Sequence, residues 1–225
     1  LIPYKDLNPS ERFPFVTVLL IAANVAVFLY EVFLPAPMSE RFVYRFAVIP
    51  LEFKIGGNIS LSPGLPPIVS VFTAMFLHGG WFHVIGNMLY LWIFGDNVED
   101  RMGPVRFLLF YLLCGIAATF AQIYGSFASK IPVLGASGAI AGVLAAYLRL
   151  FPKARIAVLV PIFYFFRVVV LPAWLILGLW VLLQVAEVQV NPAKEAGGIA
   201  YFAHIGGFVA GLLFMPLFVR KRRLR

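Results

Sequence analysis

Residues Val105–Tyr124 read VRFLLFYLLCGIAATFAQIY, twenty positions with a single charge, Arg106, beside the start. A bilayer core of about 30 Å takes about 20 predominantly apolar residues to cross as a helix, so this stretch is long enough to span. Five more stretches of like character lie on either side of it: Phe15 to Leu34, Trp81 to Gly95, Gly135 to Leu150, Val168 to Val188 and Ile199 to Val219. With no water to pair the backbone, each is expected to be helical. The second and fourth crossings are short and span only by continuing into polar residues or by being surrounded by protein. Across the whole chain of 225 residues, 62% are hydrophobic and 12% charged, against about 45–50% and about 25% in a soluble domain. A water-soluble enzyme or binding domain is thereby excluded. The expected fold class is an all-α membrane protein, a bundle of six transmembrane helices.

Charge sets the orientation. The net charge of +8 points to membrane topology and not to nucleic acid in so apolar a chain. Thirteen of the eighteen Lys and Arg residues fall on one side of the six crossings, leaving only Arg41, Arg45, Lys54, Lys130 and Lys194 on the other. Cytoplasmic loops carry the excess of basic residues, so both termini are expected to be cytoplasmic. This divides the chain into an N-terminal cytoplasmic segment (1–14), a six-helix domain (15–219) and a basic cytoplasmic tail (220–225). A long first loop, 35–80, is expected to be partly embedded, with Phe72 to Leu77 approaching the second crossing as an interfacial or re-entrant piece before Gly79-Gly80. The chain opens at Leu1 and is expected to be part of a longer protein.

Ionisable or strongly polar side chains inside a membrane cost up to about 2.5–3.5 kcal/mol each on insertion scales, so each needs a reason. Ser137 stands in Gly135-Ala136-Ser137-Gly138, near the start of the fourth crossing, and His204 in Ala203-His204-Ile205-Gly206-Gly207, near the start of the sixth. His83 and Asn87 stand in the first two turns of the second. All three crossings start at the non-cytoplasmic face, and at 1.5 Å per residue all four side chains lie within about 10 Å of it. The small residues Gly138 and Gly142, and Gly207 and Gly211 in phase with Ala203, let two helices approach closely. If those faces meet, Ser137 and His204 come within hydrogen-bond reach, and an imidazole can take the serine proton. Ser137 at a helix N-terminus sits where developing negative charge is favoured. His83 and Asn87, four apart on one face, can donate to an oxyanion.

Each of these residues also has a plainer use. A membrane serine back-bonds to its own helix, a lone histidine joins two helices, and glycines at this spacing simply pack. Independent structural uses give no reason for the four to share one depth. A metal site is disfavoured, because His78 and His83 are five apart and point about 140° away from each other on a helix, with no HExxH motif and no acidic neighbour. No carboxylate stands near His204, so a Ser–His dyad is expected in place of a triad. Asn24, Gln122 and Gln184 read as bonds between helices, Glu31 and Glu187 as boundary residues, and Cys114 as an inert thiol.

The stretches His78-Gly79-Gly80-Trp81-Phe82-His83-Val84-Ile85-Gly86-Asn87, Val98-Glu99-Asp100-Arg101-Met102-Gly103, Gly135-Ala136-Ser137-Gly138 and Ala203-His204-Ile205-Gly206-Gly207-Phe208 together resemble the rhomboid family of intramembrane serine proteases. The resemblance covers about Phe15 to Val219. It implies a rhomboid-like bundle in which Ser137 is the nucleophile and His204 the general base, with His83, Asn87 and the Ser137 N–H as the oxyanion site. By the same resemblance His78, Gly135, Gly138, Glu99 and Arg101 are supporting residues. The fifth helix and the loop from Gln189 to Gly198 correspond to a gate and cap. The expected activity is an intramembrane serine endopeptidase without cofactor or metal, acting on protein substrates that are themselves transmembrane helices. The expected setting is the lipid bilayer of the plasma membrane, with the site opening on the non-cytoplasmic side. Oligomeric state is left open. The alternative is a non-catalytic, rhomboid-like binder of membrane clients. A channel or transporter would need polar residues along a whole path, and here they stop in the outer third.

Overall fold

The computed structural model describes residues 2–55, 65–162, 165–190 and 200–220. The basic tail beyond Arg220 and the cap loop over 191–198, with Lys194, lie outside the described residues.

All six apolar stretches carry a helix. They are α1 (Phe15–Phe33), α5 (Trp81–Met102), α6 (Pro104–Gly125), α7 (Ser137–Leu150), α8 (Ala173–Val190) and α9 (Tyr201–Phe218). Three short helices occupy the first long connection: α2 (Ala36–Phe46), α3 (Pro50–Lys54) and α4 (Pro67–Thr73), the last running into a 3₁₀ turn at Ala74–Phe76. α1, α6 and α9 are each long and apolar enough to cross a membrane. The α4 segment and α5, bent by 80° at Leu77–Gly80, make a fourth span if counted as one. The chain is therefore a multi-pass, mostly helical membrane protein. Outward faces carry exposed Leu19, Trp92, Leu109, Leu113, Leu182 and Leu213, a surface that lipid covers and water would not tolerate.

The all-α expectation needs correction. Residues Phe165–Pro172 form a strand, β3, and the helix of the fifth crossing begins only at Ala173. β3 pairs antiparallel with β2 (Arg155–Ile162), Val169 opposite Val158 and Leu171 opposite Ile156. β2 in turn pairs with β1 (Ile2–Asp6). Val168-Val169-Val170 is a β-branched run, a composition that suits a pleated strand, and Pro172 closes it. Hydropathy reads such a run as membrane because it registers apolar character and not the presence of a partner strand.

The sheet lies at the end of α5 and α7 away from Ser137, where Asn97 donates to Asp6 Oδ2 at 2.9 Å. Glu99 organises this end. α1 has Pro14 before it and no capping side chain of its own. The Glu99 carboxylate instead accepts from the N–H of Val16 at 2.9 Å and from the N–H and hydroxyl of Thr17, both at 2.8 Å. Two of the unpaired donors at that helix start are thus satisfied from α5. Arg101 stands over the Phe151 ring at 5.6 Å, and its carbonyl accepts the Arg220 N–H at 3.2 Å.

α9 wedges between α6 and α7. A Cβ on Gly211 would collide with the carbonyl oxygen of Gly142, and one on Gly142 would lie 2.5 Å from the Cβ of Cys114 on α6. The small-residue faces meet as their spacing suggests, and this contact brings the start of α9 beside the start of α7.

Candidate active site

Ser137 is the first residue of α7, following Gly135, whose φ of 123° lies in the region that favours glycine. As the first helical residue it has a backbone N–H with no intrahelical partner. His204 lies one turn into α9. Its Nε2 is 2.8 Å from Ser137 Oγ, within the range for a nucleophile and its base.

The other ring nitrogen is also held. Nδ1 of His204 lies 2.7 Å from the side-chain oxygen of Gln184 on α8. An amide oxygen only accepts, so Nδ1 carries the proton and Nε2 offers its lone pair to the serine hydroxyl. The Gln184 amide nitrogen donates back to the Trp180 carbonyl at 3.4 Å. The Trp180 ring covers the imidazole at 5.7 Å between centroids and a 34° tilt. His204 is 8% exposed. The start of α9 has no capping side chain, and Gln122 of α6 serves there, accepting the Ala203 N–H at 3.1 Å.

Across the cavity stand His83 and Asn87 of α5. The Gly79 N–H donates to His83 Nδ1 at 3.3 Å, which leaves the proton on Nε2. That nitrogen would lie 2.8 Å from a Cβ on Gly135, and Asn87 Nδ2 3.8 Å from the same point. Asn87 Nδ2 is buried without a hydrogen-bond partner. A desolvated, unpaired amide donor costs about 1–3 kcal/mol, and it faces the glycine two residues before Ser137. Ser137, His204, His83 and Asn87 all line one cavity of about 700 Å³, which Trp180 also borders.

The supporting residues fall elsewhere. Gly135 forms the cavity wall, and Gly138 packs under Ala118 of α6. His78 is buried, edge-on to Phe28 and to His83 at 6.4 and 5.0 Å between ring centroids, with neither ring nitrogen bonded. Glu99 and Arg101 sit at the far end of α5. Of the three residues read as bonds between helices, Gln122 is one, and Asn24 donates to the Leu20 carbonyl of its own helix at 2.7 Å while its side chain also meets Tyr111 of α6. Gln184 joins α8 to α9 by meeting His204 itself. The Ser137–His204 pair thus has a neutral third partner, which a search for carboxylates alone does not find. The signal for it is an amide ending the apolar run Ala173–Leu183 of α8.

Fold and site together define a multi-pass helical membrane protein with a histidine-paired serine in a cavity between helices. A family model described as Rhomboid domain matches residues 67–221, more than half of the chain. The chain belongs to the rhomboid family. It is 30% identical over 216 residues to "Rhomboid protein 1, mitochondrial" of Saccharomyces cerevisiae, covering 92% of this chain and 55% of that protein. It is 33% identical over 150 residues to "Presenilin-associated rhomboid-like protein, mitochondrial" of Homo sapiens, covering 65% of this chain and 36% of that one. "RHOMBOID-like protein 1" of Arabidopsis thaliana is 27% identical over 241 residues, covering 96% of this chain and 56% of that protein. The chain thus spans only about a third to just over half of these relatives' own lengths.

Proposed function

We propose that the chain is an intramembrane serine endopeptidase. The observation that carries this reading is the 2.8 Å contact between His204 Nε2 and Ser137 Oγ inside the cavity. In it, Ser137 Oγ attacks the scissile carbonyl while its proton passes to His204 Nε2. The tetrahedral oxyanion is received by the Ser137 N–H, His83 Nε2–H and Asn87 Nδ2–H. Collapse breaks the C–N bond, the leaving amine takes the proton from His204, and an acyl-enzyme on Ser137 remains. Water, deprotonated by His204, then hydrolyses the ester and restores the serine. Membership of the rhomboid family supports substrates that are membrane proteins.

The proposal includes the membrane arrangement: α1, α5, α6, α7, α8 and α9 cross as six spans over 15–219. Residues 1–14 and the tail from Arg220 lie on the cytoplasmic side in this reading, and the site opens on the other. α7, the shortest of the six at 14 residues, crosses enclosed by its neighbours, buried from Gly138 to Tyr147. Nothing supports the plasma membrane in particular, since the yeast and human relatives are named mitochondrial proteins.

Covalent labelling of the detergent-purified chain with a mechanism-based serine-hydrolase probe tests this reading. The expected result is labelling of the wild type mapped to Ser137, and none in folded Ser137→Ala or His204→Ala. A folded wild type that two probe chemistries fail to label, in detergent and in lipid, would overturn it in favour of client holding.

A further inference from the structure

We infer that Gln184 of α8 is the positioning residue that makes His204 a competent base, a role resting on the Ser137–His204 reading above. Its side-chain oxygen lies 2.7 Å from His204 Nδ1, on the opposite side of the ring from Ser137 Oγ at 2.8 Å. A neutral imidazole has two tautomers, and only the one with a bare Nε2 can take the serine proton. An acceptor at Nδ1 selects that tautomer and also fixes the ring plane. Gln184 is itself fixed, because its amide nitrogen is tied to the Trp180 carbonyl at 3.4 Å, one turn back on α8. That leaves the oxygen, the acceptor end, facing the histidine. Trp180 then closes the ring face. One helix therefore supplies both the acceptor and the packing that hold the base, while the nucleophile stands on another.

The arrangement differs from a carboxylate triad in its electrostatics. A neutral amide orients the imidazole without adding a buried negative charge, which a site below the membrane surface would have to desolvate. The titratable groups around His204 are His83 on α5 across the cavity, Tyr201 one turn earlier on α9 at 6.5 Å, and Glu187 of α8 near Tyr201. Gln184 is the group on the Nδ1 side. Since α8 carries it, any displacement of α8 that withdraws the acceptor releases the ring.

The test uses the full chain with ¹⁵N-labelled histidine. It has three histidines, so His78→Gln and His83→Gln assign the spectrum. Imidazole nitrogen shifts report which nitrogen carries the proton, and kcat and KM are measured on a model transmembrane substrate. In the wild type, His204 is expected as the single tautomer with a bare Nε2. In Gln184→Leu the tautomers should mix and kcat should fall by about 10-fold to 100-fold with KM unchanged, the loss typical of a mispositioned reacting group. Gln184→Glu, which keeps the acceptor, should recover both the tautomer and most of the rate. A folded Gln184→Leu with wild-type tautomer and kcat, or a loss confined to KM, would overturn the role. If the wild type proves inert toward probe and substrate, the proposed activity fails, and the tautomer comparison still decides whether Gln184 sets the ring.

Discussion

A Cβ on Gly207 of α9 would run into the carbonyl oxygen of Gly138 of α7. Gly207 is three residues after His204 and Gly138 one after Ser137, so this backbone contact sets how near the imidazole and the hydroxyl stand. Gly207→Ala is expected to force α9 outward, lower stability by about 1–3 kcal/mol as overpacking does, and abolish probe labelling of Ser137. Gly178→Ala is the control, because a Cβ there on α8 meets nothing within 4 Å. Thermal melts and labelling of the pair check this; equal behaviour of the two variants would refute it.

Gly135 answers to two constraints at once. Its φ of 123° disfavours any side chain, and a Cβ would sit 2.8 Å from His83 Nε2. Gly135→Ala should therefore displace His83 and turn the start of α7. We expect kcat to drop about 100-fold, with a smaller change in melting temperature than Gly207→Ala shows. Retention of full kcat would mean that His83 does not act from this position.

Asn87 separates function from stability. Its Nδ2 is buried and unpaired, a state that costs about 1–3 kcal/mol. Asn87→Ala removes that cost while giving up some packing, so the melting temperature should stay near that of the wild type. Loss of one oxyanion donor lowers kcat by about 10²–10³-fold. Steady-state kinetics beside a melt distinguishes this from a structural asparagine, whose loss would lower the melt and spare kcat.

Glu99 should behave the opposite way. It holds three donors at the start of α1, and hydrogen bonds to a charged group contribute about 1.5–3 kcal/mol each. Glu99→Gln keeps the shape but loses the charge beside the helix N-terminus. The melting temperature should fall by several degrees, while folded protein at low temperature keeps wild-type labelling of Ser137.

In the proposed activity, substrate choice follows from the geometry of attack. A helix hides its scissile carbonyl in its own hydrogen bonds and must unwind before Ser137 can reach it. Transmembrane substrates with helix-weakening Gly or Pro and small side chains near the cut should be cleaved faster than Leu-rich helices. Matched substrates differing only in those positions give the rates; equal cleavage would remove unwinding as the determinant.

Much of the site was readable in the sequence because its signals are local. Gly135-Ala136-Ser137-Gly138 and the spacing of Gly207 and Gly211 announce a close approach wherever the helices lie. His83 and Asn87 share a face by helical periodicity alone. Gln184 reads as a bond between helices and is one, joining α8 to α9, but nothing in α8 alone says that the group its oxygen meets is His204. The strand at Phe165–Pro172 was absorbed into a crossing, because a run of Val, Leu and Phe is equally apolar in a sheet and in a bilayer.

From the sequence come the helical membrane class, a helix within each of the six apolar stretches and the face that His83 shares with Asn87. Hydropathy and helical rise are properties of each segment taken alone. Packing alone joins β1 to β2 across some 150 residues of chain, sets Glu99 at the start of α1 and brings Gln184 to the free side of His204. Each of these satisfies a polar group left open at one place with a partner from a distant place. Such pairings depend on which surfaces the packed glycine faces bring together, and no single segment carries that information.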